Sequence, residues 1–179
     1  KAFNTWLIVD VLQPMRALYL RMPAVATLVL AVGAGYIIGG IRSALVVSAL
    51  TLFIALSPWW DRALVTLYMA TFGVVVSCLI GFSVGTLCFQ NKKSAAFMLG
   101  VCDIFQTFPS FVYLIPVMML FGITDTSVLI AVIVYATIPA TRYTIEGLRS
   151  VPVGLHEAAT MSGVNKFQRL TKIEFPLAF

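Results

Sequence analysis

The most distinctive combination of residue types and spacing lies in the polar stretch 155–176, LHEAATMSGVNKFQRLTKIEFP. Glu157 is followed by two alanines, and Gly163 comes six residues after it. A helix with one carboxylate and small side chains presents a single charge on a narrow surface, which suits a groove on a partner protein. The stretch therefore predicts non-covalent docking, with Glu157 facing a basic residue of the partner; the alternative is a solvated basic linker.

Local signals divide this stretch into two short helices. Pro152 stands where a helix tolerates proline in its first turn, and Gly163 is placed to end the first helix in the left-handed conformation. Asn165 and Gln168 form a capping-box pattern that starts the second helix. Pro176 predicts that the second helix stops or bends there.

Composition excludes a soluble enzyme. Of the 179 residues, 60% are hydrophobic and 11% are charged, whereas a soluble domain carries about 25% charged residues. The solvent around most of this chain must therefore be lipid. No nucleotide-binding glycine loop, carboxylate pair or Ser-His-Asp set is present, and His156 is the only histidine, so we expect no metal or cofactor to be bound. The net charge of +5 comes from residues between apolar segments, which does not suit nucleic acid binding.

A second group of polar residues interrupts the apolar run 95–122. Pro109 and Pro116 each remove a backbone hydrogen bond and predict a kink. Carbonyl groups freed within a membrane must face protein or a water-filled cavity. We interpret the group as the inner side of a solute path, and hydrogen bonding between packed helices is the alternative. Its members are Asp103, Gln106, Thr107, Pro109, Ser110, Tyr113 and Pro116.

Asp103 is an acid within an apolar segment, which makes it a functional candidate by default. It could instead pair with a basic residue of the neighbouring loop. We favour this structural interpretation, with a partner such as Lys92 or Lys93.

The apolar runs predict an all-α bundle of about five transmembrane helices. Residues 1–23 predict an amphipathic segment in the membrane interface, bent at Pro14. Residues 24–57 contain two peripheral spans, and residues 63–179 form a core of three spans with the polar stretch. The predicted spans are 24–40, 43–57, 63–89, 95–122 and 127–140.

Trp59 and Trp60 follow the second predicted span. A tryptophan pair at this place indicates an aromatic belt at the membrane surface. Stacking on a cationic ligand is the alternative.

The basic residues set the predicted orientation. With 155–176 taken as cytoplasmic, alternating spans put the N-terminus outside. Eight of the twelve basic residues then lie inside, as the positive-inside rule requires, whereas Lys1, Arg16, Arg21 and Arg62 lie outside. The inside group comprises Arg42, Lys92, Lys93, Arg142, Arg149, Lys166, Arg169 and Lys172.

The spacing of the polar stretch resembles the Glu-Ala-Ala loop of the membrane subunits of bacterial ATP-binding-cassette (ABC) importers. Gly163, Ile173 and Pro176 follow Glu157 at six, sixteen and nineteen residues, as in that loop. The residue before the proline is usually leucine and here is Phe175. Four positions therefore agree over twenty residues.

The run FQTFPSFVYLIPVMMLFGI, residues 105–123, is similar to the matching stretch of glycine betaine and proline betaine permeases. Its Gln-Thr, Pro, Phe-Val-Tyr-Leu, Pro and Met-Leu-Phe-Gly elements are those of that group. The resemblance covers roughly residues 62–179. It implies the transmembrane permease fold of a type I ABC importer in the bacterial inner membrane, and we expect this chain to be an excerpt that lacks the last core helices of that fold.

The resemblance also implies a function and partners. The chain would import glycine betaine, proline betaine or a related quaternary ammonium solute as a homodimer, served by an extracytoplasmic solute-binding protein or domain. A separate ABC ATPase subunit would use ATP and Mg and dock on a coupling helix. The coupling residues would be Leu155, His156, Glu157, Ala158, Ala159, Met161, Ser162 and Gly163.

Three alternatives to this function remain at the level of the sequence. A permease for another small solute, such as an amino acid or a sulfonate, would share the same loop. A passive channel would need no ATPase, and a membrane scaffold would transport nothing.

Overall fold

The computed structural model describes residues 5, 7–152, 154–155 and 161–178. They fall into two compact units, residues 1–72 and 73–179. The described residues contain helices and no strand, which confirms the all-α prediction. After a π-helical turn, Leu7–Leu12, the helices are α1 Gln13–Leu20, α2 Ala24–Ala55, α3 Trp60–Phe89, α4 Lys92–Thr107, α5 Phe111–Phe121, α6 Asp125–Ser150, α7 Lys166–Arg169 and, after a π-helical turn at Leu170–Glu174, α8 Phe175–Ala178.

The N-terminal segment is helical from Leu7 to Leu20, and the remainder of the predicted interfacial segment at residues 1–4 and 6 lies outside the described residues. The helix changes from π to α geometry at Leu12 and Gln13, and Pro14 lies in the first turn of α1. Proline is tolerated in the first turn of an α-helix.

Helix α2 folds back on itself. Its backbone leaves helical geometry at Gly39 (φ −139°, ψ 18°) and Gly40 (φ 67°, ψ −159°), and glycine adopts the positive φ at little cost. Along an unbroken helix Val47 would lie about 18 Å from Gly35. A Cβ built on Gly35 would instead lie 3.1 Å from Val47 Cγ2. The two halves of α2 are therefore antiparallel.

The number of predicted spans needs correction. Among the described residues, α2, α3 and α6 are long and apolar enough to cross a membrane, and α4 with α5 adds a fourth if the pair is one span. Five spans were predicted because 24–40 and 43–57 were counted as separate crossings. Each half of α2 is only about 22 Å long, which is less than the hydrocarbon thickness of about 30 Å.

Trp59 of the first unit contacts a cation of its own chain. The guanidinium of Arg62 lies 4.8 Å from the centre of the Trp59 ring. One face of this ring is thereby engaged in a cation–π contact. This arrangement favours a structural role over the ligand-stacking alternative for Trp59.

In the second unit, α3 and α6 pack side by side and run in the same direction. A Cβ built on Gly73 would lie 2.9 Å from Val132 Cγ1, and one on Gly85 would lie 2.7 Å from Thr144 Cβ. The residue numbers rise together along the two helices, so the contact is parallel. The absence of side chains on the glycines allows this close approach.

The contact surface of α3 is a stripe of small residues at every fourth position. Between the two outer glycines lie Ser77 and Gly81, and the Ser77 hydroxyl lies 3.2 Å from the Ile133 carbonyl oxygen of α6. The stripe comprises Gly73, Ser77, Gly81 and Gly85. Residues four apart share one face of a helix, so this spacing is a signal in the sequence for a helix-packing surface.

Helices α4 and α5 return the chain between the parallel helices. Cys102 of α4 contacts the Ile138 carbonyl at 3.6 Å. Further along, the Ser127 hydroxyl at the start of α6 donates to the Gly122 carbonyl. As residue numbers rise along α4 and α5, the numbers of the α6 residues that they contact fall. The two shorter helices are therefore antiparallel to α6. Although α4 and α5 are bent by 87°, they form one broken crossing rather than a re-entrant loop.

Gly81→Ala should destabilise the protein by about 1–3 kcal/mol because the new methyl group overpacks the α3–α6 contact. Its Cβ would lie 2.5 Å from Ala140 Cβ and 2.8 Å from the Thr141 backbone nitrogen, which cannot move away easily. Gly100→Ala in α4 is the matched control, since nothing lies within 4 Å of that position. Thermal unfolding in detergent measures both variants, and equal transition temperatures would contradict this packing.

Candidate functional site

Arg142 connects α4 and α6 through a polar cluster in the broken crossing. Its Nη1 donates to the Asp103 carboxylate and lies 3.4 Å from Gln106 Oε1. Its Nε donates to Glu146 Oε1 at 3.0 Å. One guanidinium therefore holds side chains of two helices together, and Gln106 takes part in a helix-to-helix contact.

The structure agrees with the prediction that Asp103 belongs to an ion pair, but its partner is Arg142 rather than Lys92 or Lys93. Helix α6 continues to Ser150, ten residues beyond the predicted end of the fifth span. Arg142 is therefore a residue of a membrane helix rather than of a loop, and it faces α4.

This cluster has an open side. The side chains of Asp103, Arg142 and Glu146 are 59%, 29% and 44% exposed. Asp103 lies eleven residues along α4, about 16 Å from the start of that helix. Charged groups at such depth face protein or water rather than lipid tails. The open side of the cluster is thus suited to a water-filled path or a protein contact.

The break between α4 and α5 follows from Pro109. Thr107 ends α4, and its hydroxyl donates to the Ile104 carbonyl at 2.6 Å. Pro109 has no N–H for the Phe105 carbonyl four residues earlier. That carbonyl instead accepts a hydrogen bond from the Phe108 N–H at 3.4 Å and another from the hydroxyl of Tyr113. The prediction of a kink at this proline is confirmed by the 87° bend, and the freed carbonyl faces protein as the membrane requires.

Tyr113 has a packing role at this break. It is buried, and its ring centre lies 6.2 Å from that of Phe105 and 5.7 Å from that of Tyr135. The structure thus favours the packing alternative for Tyr113. Ser110 and Pro116 are exposed, and α5 continues through Pro116 to Phe121, so this second proline does not interrupt the helix.

An apolar groove adjoins the break. It has a volume of ≈ 220 Å³, and its lining includes Ser110 and Phe111 on the α5 side and Val132 and Tyr135 of α6. Of the predicted path residues, Ser110 lies in this groove, whereas Asp103 and Gln106 lie in the Arg142 cluster. Arg142 and Glu146 were not among the predicted site residues. They lie four residues apart just after Ala140, the predicted end of the fifth span, and this spacing indicates that the helix continues.

Part of the predicted coupling stretch, residues 155–163, can be placed. Leu155, Met161, Ser162 and Gly163 are described and exposed. The remaining predicted coupling residues lie outside the described residues, namely His156, Glu157, Ala158 and Ala159.

The predicted left-handed glycine and the predicted capping box of this stretch are confirmed. Gly163 has a φ of 72°, the left-handed conformation expected at a helix end. Asn165 N–H donates to Gln168 Oε1 at 3.2 Å, and Gln168 N–H donates to Asn165 Oδ1 at 2.8 Å, which is the reciprocal capping box. The second predicted helix does not stop at Pro176, because the π-helical turn Leu170–Glu174 continues directly into α8, which contains this proline.

The two flanks of the coupling stretch meet the ends of the membrane helices. A cavity of ≈ 560 Å³ is lined by Gln90 after α3, Lys92 at the start of α4, Arg149 and Val151 at the end of α6, and Arg169. Val151 precedes the stretch and Arg169 follows it. The stretch therefore leaves and rejoins the bundle at the end that carries Lys92, which is the end predicted to be cytoplasmic.

Comparison with a family model agrees with this arrangement. A model described as "Binding-protein-dependent transport system inner membrane component" matches residues 73–179. The match covers the second structural unit in full.

Comparison with curated proteins gives similar relatives. The chain is 88% identical over all of its 179 residues to "Trimethylamine N-oxide transport system permease protein TmoV" of Pelagibacter ubique, and covers 25% of that protein. It is 42% identical over 98% of its length to the protein of the same name in Ruegeria pomeroyi, covering 26% of it. It is 35% identical over 94% of its length to "Glycine betaine/proline betaine transport system permease protein ProW" of Escherichia coli, covering 48% of it. The chain thus spans about a quarter of the first two relatives.

Tyr113→Phe should lower the free energy of unfolding by about 0.5–1.5 kcal/mol, because the Phe105 carbonyl loses its hydroxyl donor and keeps only the long bond from the Phe108 N–H. Tyr135→Phe is the matched control, since the two rings pack together and no hydrogen bond of the Tyr135 hydroxyl occurs within the described part of the chain. Denaturant unfolding measures the difference. If both variants lost the same stability, the proposed capping of Phe105 would be wrong.

Arg142→Asp should be strongly destabilising because it places a third acid beside Asp103 and Glu146. Adding Asp103→Arg should recover stability, with a coupling of about 0.5–3 kcal/mol in a double-mutant cycle of unfolding free energies. Lys92→Asp combined with Asp103→Arg serves as the control and should show no coupling. Rescue in the Lys92 pair and none in the Arg142 pair would contradict the assigned ion pair.

Proposed function

Because this chain belongs to the family of binding-protein-dependent transport system inner membrane components, we propose that it is part of the permease of an ATP-driven importer for a small quaternary ammonium solute. Trimethylamine N-oxide is the favoured solute, since the relatives with 88% and 42% identity carry that name. Glycine betaine and proline betaine are the next candidates. Another small solute, such as an amino acid or a sulfonate, is the weaker alternative.

The position of the coupling stretch is the observation that carries this proposal. Its flanks, Val151 and Arg169, line one cavity with Lys92 and Gln90, where three membrane helices end. The described residues of the stretch, Met161 among them, are exposed. A stretch held at the ends of several helices can receive force from a separate protein and pass it to the bundle.

Membership of a binding-protein-dependent transport family supports the proposed partners. An ABC ATPase subunit uses ATP and Mg and docks on residues 155–163. An extracytoplasmic solute-binding protein or domain delivers the solute at the opposite end of the bundle. A second copy of the permease completes the path as a homodimer. Closure of the ATPases moves the coupling stretches and alternates access to the path between the two sides.

The broken crossing supplies the proposed path. The apolar groove beside Phe111 and Tyr135 suits methyl groups of a quaternary ammonium solute, because aromatic faces attract such cations. The Arg142 cluster offers both signs of charge to a dipolar solute on its open side. Selectivity would still depend strongly on the solute-binding protein that presents the solute.

Gly163→Val should uncouple ATP hydrolysis from transport. The φ of 72° at Gly163 is disfavoured for other residues by about 1–2 kcal/mol, more for a branched one, so the coupling stretch would lose its shape. Uptake of trimethylamine N-oxide per ATP hydrolysed, measured in liposomes with the complete assembly, should fall. Gly154→Val is the matched control because Gly154 has no positive φ and no atom of the described residues lies within 4 Å of a Cβ built there.

The same assay separates the alternatives. Stimulation of ATP hydrolysis by trimethylamine N-oxide or a betaine, but not by an amino acid or a sulfonate, supports the proposed solute class. Solute flux without any ATPase indicates a passive channel. The absence of both flux and solute-dependent hydrolysis in the wild type contradicts the proposed function.

A further inference from the structure

Glu174 is a buried acid outside the proposed solute path. Its exposed fraction is 2%, and among the buried residues of the described chain it alone carries a charge. Its Oε1 accepts a hydrogen bond from Arg169 Nε at 2.9 Å, and the Arg169 side chain is 32% exposed. A carboxylate at this depth is retained only where a partner compensates for the loss of water. The ion pair is therefore unlike the weak pairs of an open surface.

A change of helix geometry brings the two residues together. Residues five apart on an α-helix point in directions about 140° apart. Arg169 and Glu174 are joined across the π-helical turn Leu170–Glu174, in which the Phe175 N–H donates to the Leu170 carbonyl. A π-turn has more residues per turn and is often found at functional sites. Pro176, which follows, cannot donate an α-helical hydrogen bond.

The pair lies where the chain returns from the coupling stretch to the membrane helices. Arg169 and Glu174 both line the cavity of ≈ 560 Å³ at the ends of α3, α4 and α6. The next residue, Phe175, has its ring centre 4.8 Å from that of Phe82 in α3. Helix α8 also contacts α6. The ring contact and the packing of α8 thus hold this segment against α3 and α6, and the ion pair fixes the shape of the segment itself across the π-helical turn.

We propose that Arg169 and Glu174 are positioning residues that clamp the return of the coupling stretch to the ends of α3 and α6. This inference rests on the proposed function. A loose return segment would absorb a displacement of the coupling stretch by bending. The clamp makes residues 164–178 move as one body with the membrane helices, so that the displacement reaches the solute path.

Arg169→Ala and Glu174→Ala test the clamp in the complete transporter reconstituted in liposomes. Solute taken up per ATP hydrolysed should fall by about tenfold. The KM for solute and the ATP hydrolysis without solute should stay unchanged, because neither residue touches the solute path. Lys172→Ala is the matched control, since it removes a charge from the exposed side of the same segment, and it should behave as wild type.

A transport ratio that is unchanged in both variants would overturn the clamp, as would an equal loss in Lys172→Ala. If wild-type protein shows no solute-dependent hydrolysis, the proposed function itself fails. If the wild-type protein transports solute and both alanine variants behave as the wild type does, only the clamp is refuted. The two ideas are therefore separated by one set of measurements.

A cross-link tests the clamp even if the alanine variants do not fold. Gln90 and Phe167 line one cavity of ≈ 290 Å³, on the membrane-helix side and the return-segment side respectively. Gln90→Cys with Phe167→Cys, joined by a short bis-maleimide, should retain most of the transport because the two sides move together. Loss of transport on cross-linking, with the singly substituted proteins unaffected by the reagent, would overturn the clamp.

Discussion

The rest of the second unit depends on the close approach of α3 and α6. Glycine at positions 73, 81 and 85 leaves room for the backbone and side chains of α6, and lipid supplies no hydrophobic force that could replace such packing. Because the two helices are parallel, the connection between them has to cross the bundle once more. That requirement turns α4 and α5 into a single broken crossing and brings the start of α4 to the end where α6 finishes.

Features with a local backbone cause were predictable from the sequence. Pro109 lacks one N–H and breaks the crossing, Gly163 adopts a positive φ, and Asn165 caps the helix that follows. Long-range partners were not predictable in the same way. The partner of Asp103 lies 39 residues away in the chain, and the predicted span 127–140 ends before Arg142. The ion pair with Asp103 allows the charged Arg142 to lie within a continuing membrane helix.

The hairpin in α2 shows a second limit of sequence reasoning. Length and charge placed two spans around Arg42, whereas the chain reverses at Gly39 and Gly40, where glycine permits the conformation.

The path and the coupling stretch are related through α6. This helix carries Arg142 and Tyr135 beside the break, and its last turn, which contains Arg149, leads to the coupling stretch. Motion of one helix can therefore change the polar cluster and the groove together.

The central claim is that residues 155–163 bind the ATPase subunit at the end of the bundle that carries Lys92. A photo-reactive side chain at Met161, which is 89% exposed, tests this directly when compared with one at Ile123, which is 90% exposed at the other end of the bundle. In membranes that contain the complete transporter, the account predicts a covalent adduct between the ATPase subunit and position 161, and none from position 123. An ATPase adduct from position 123, or its absence from position 161, would contradict the account.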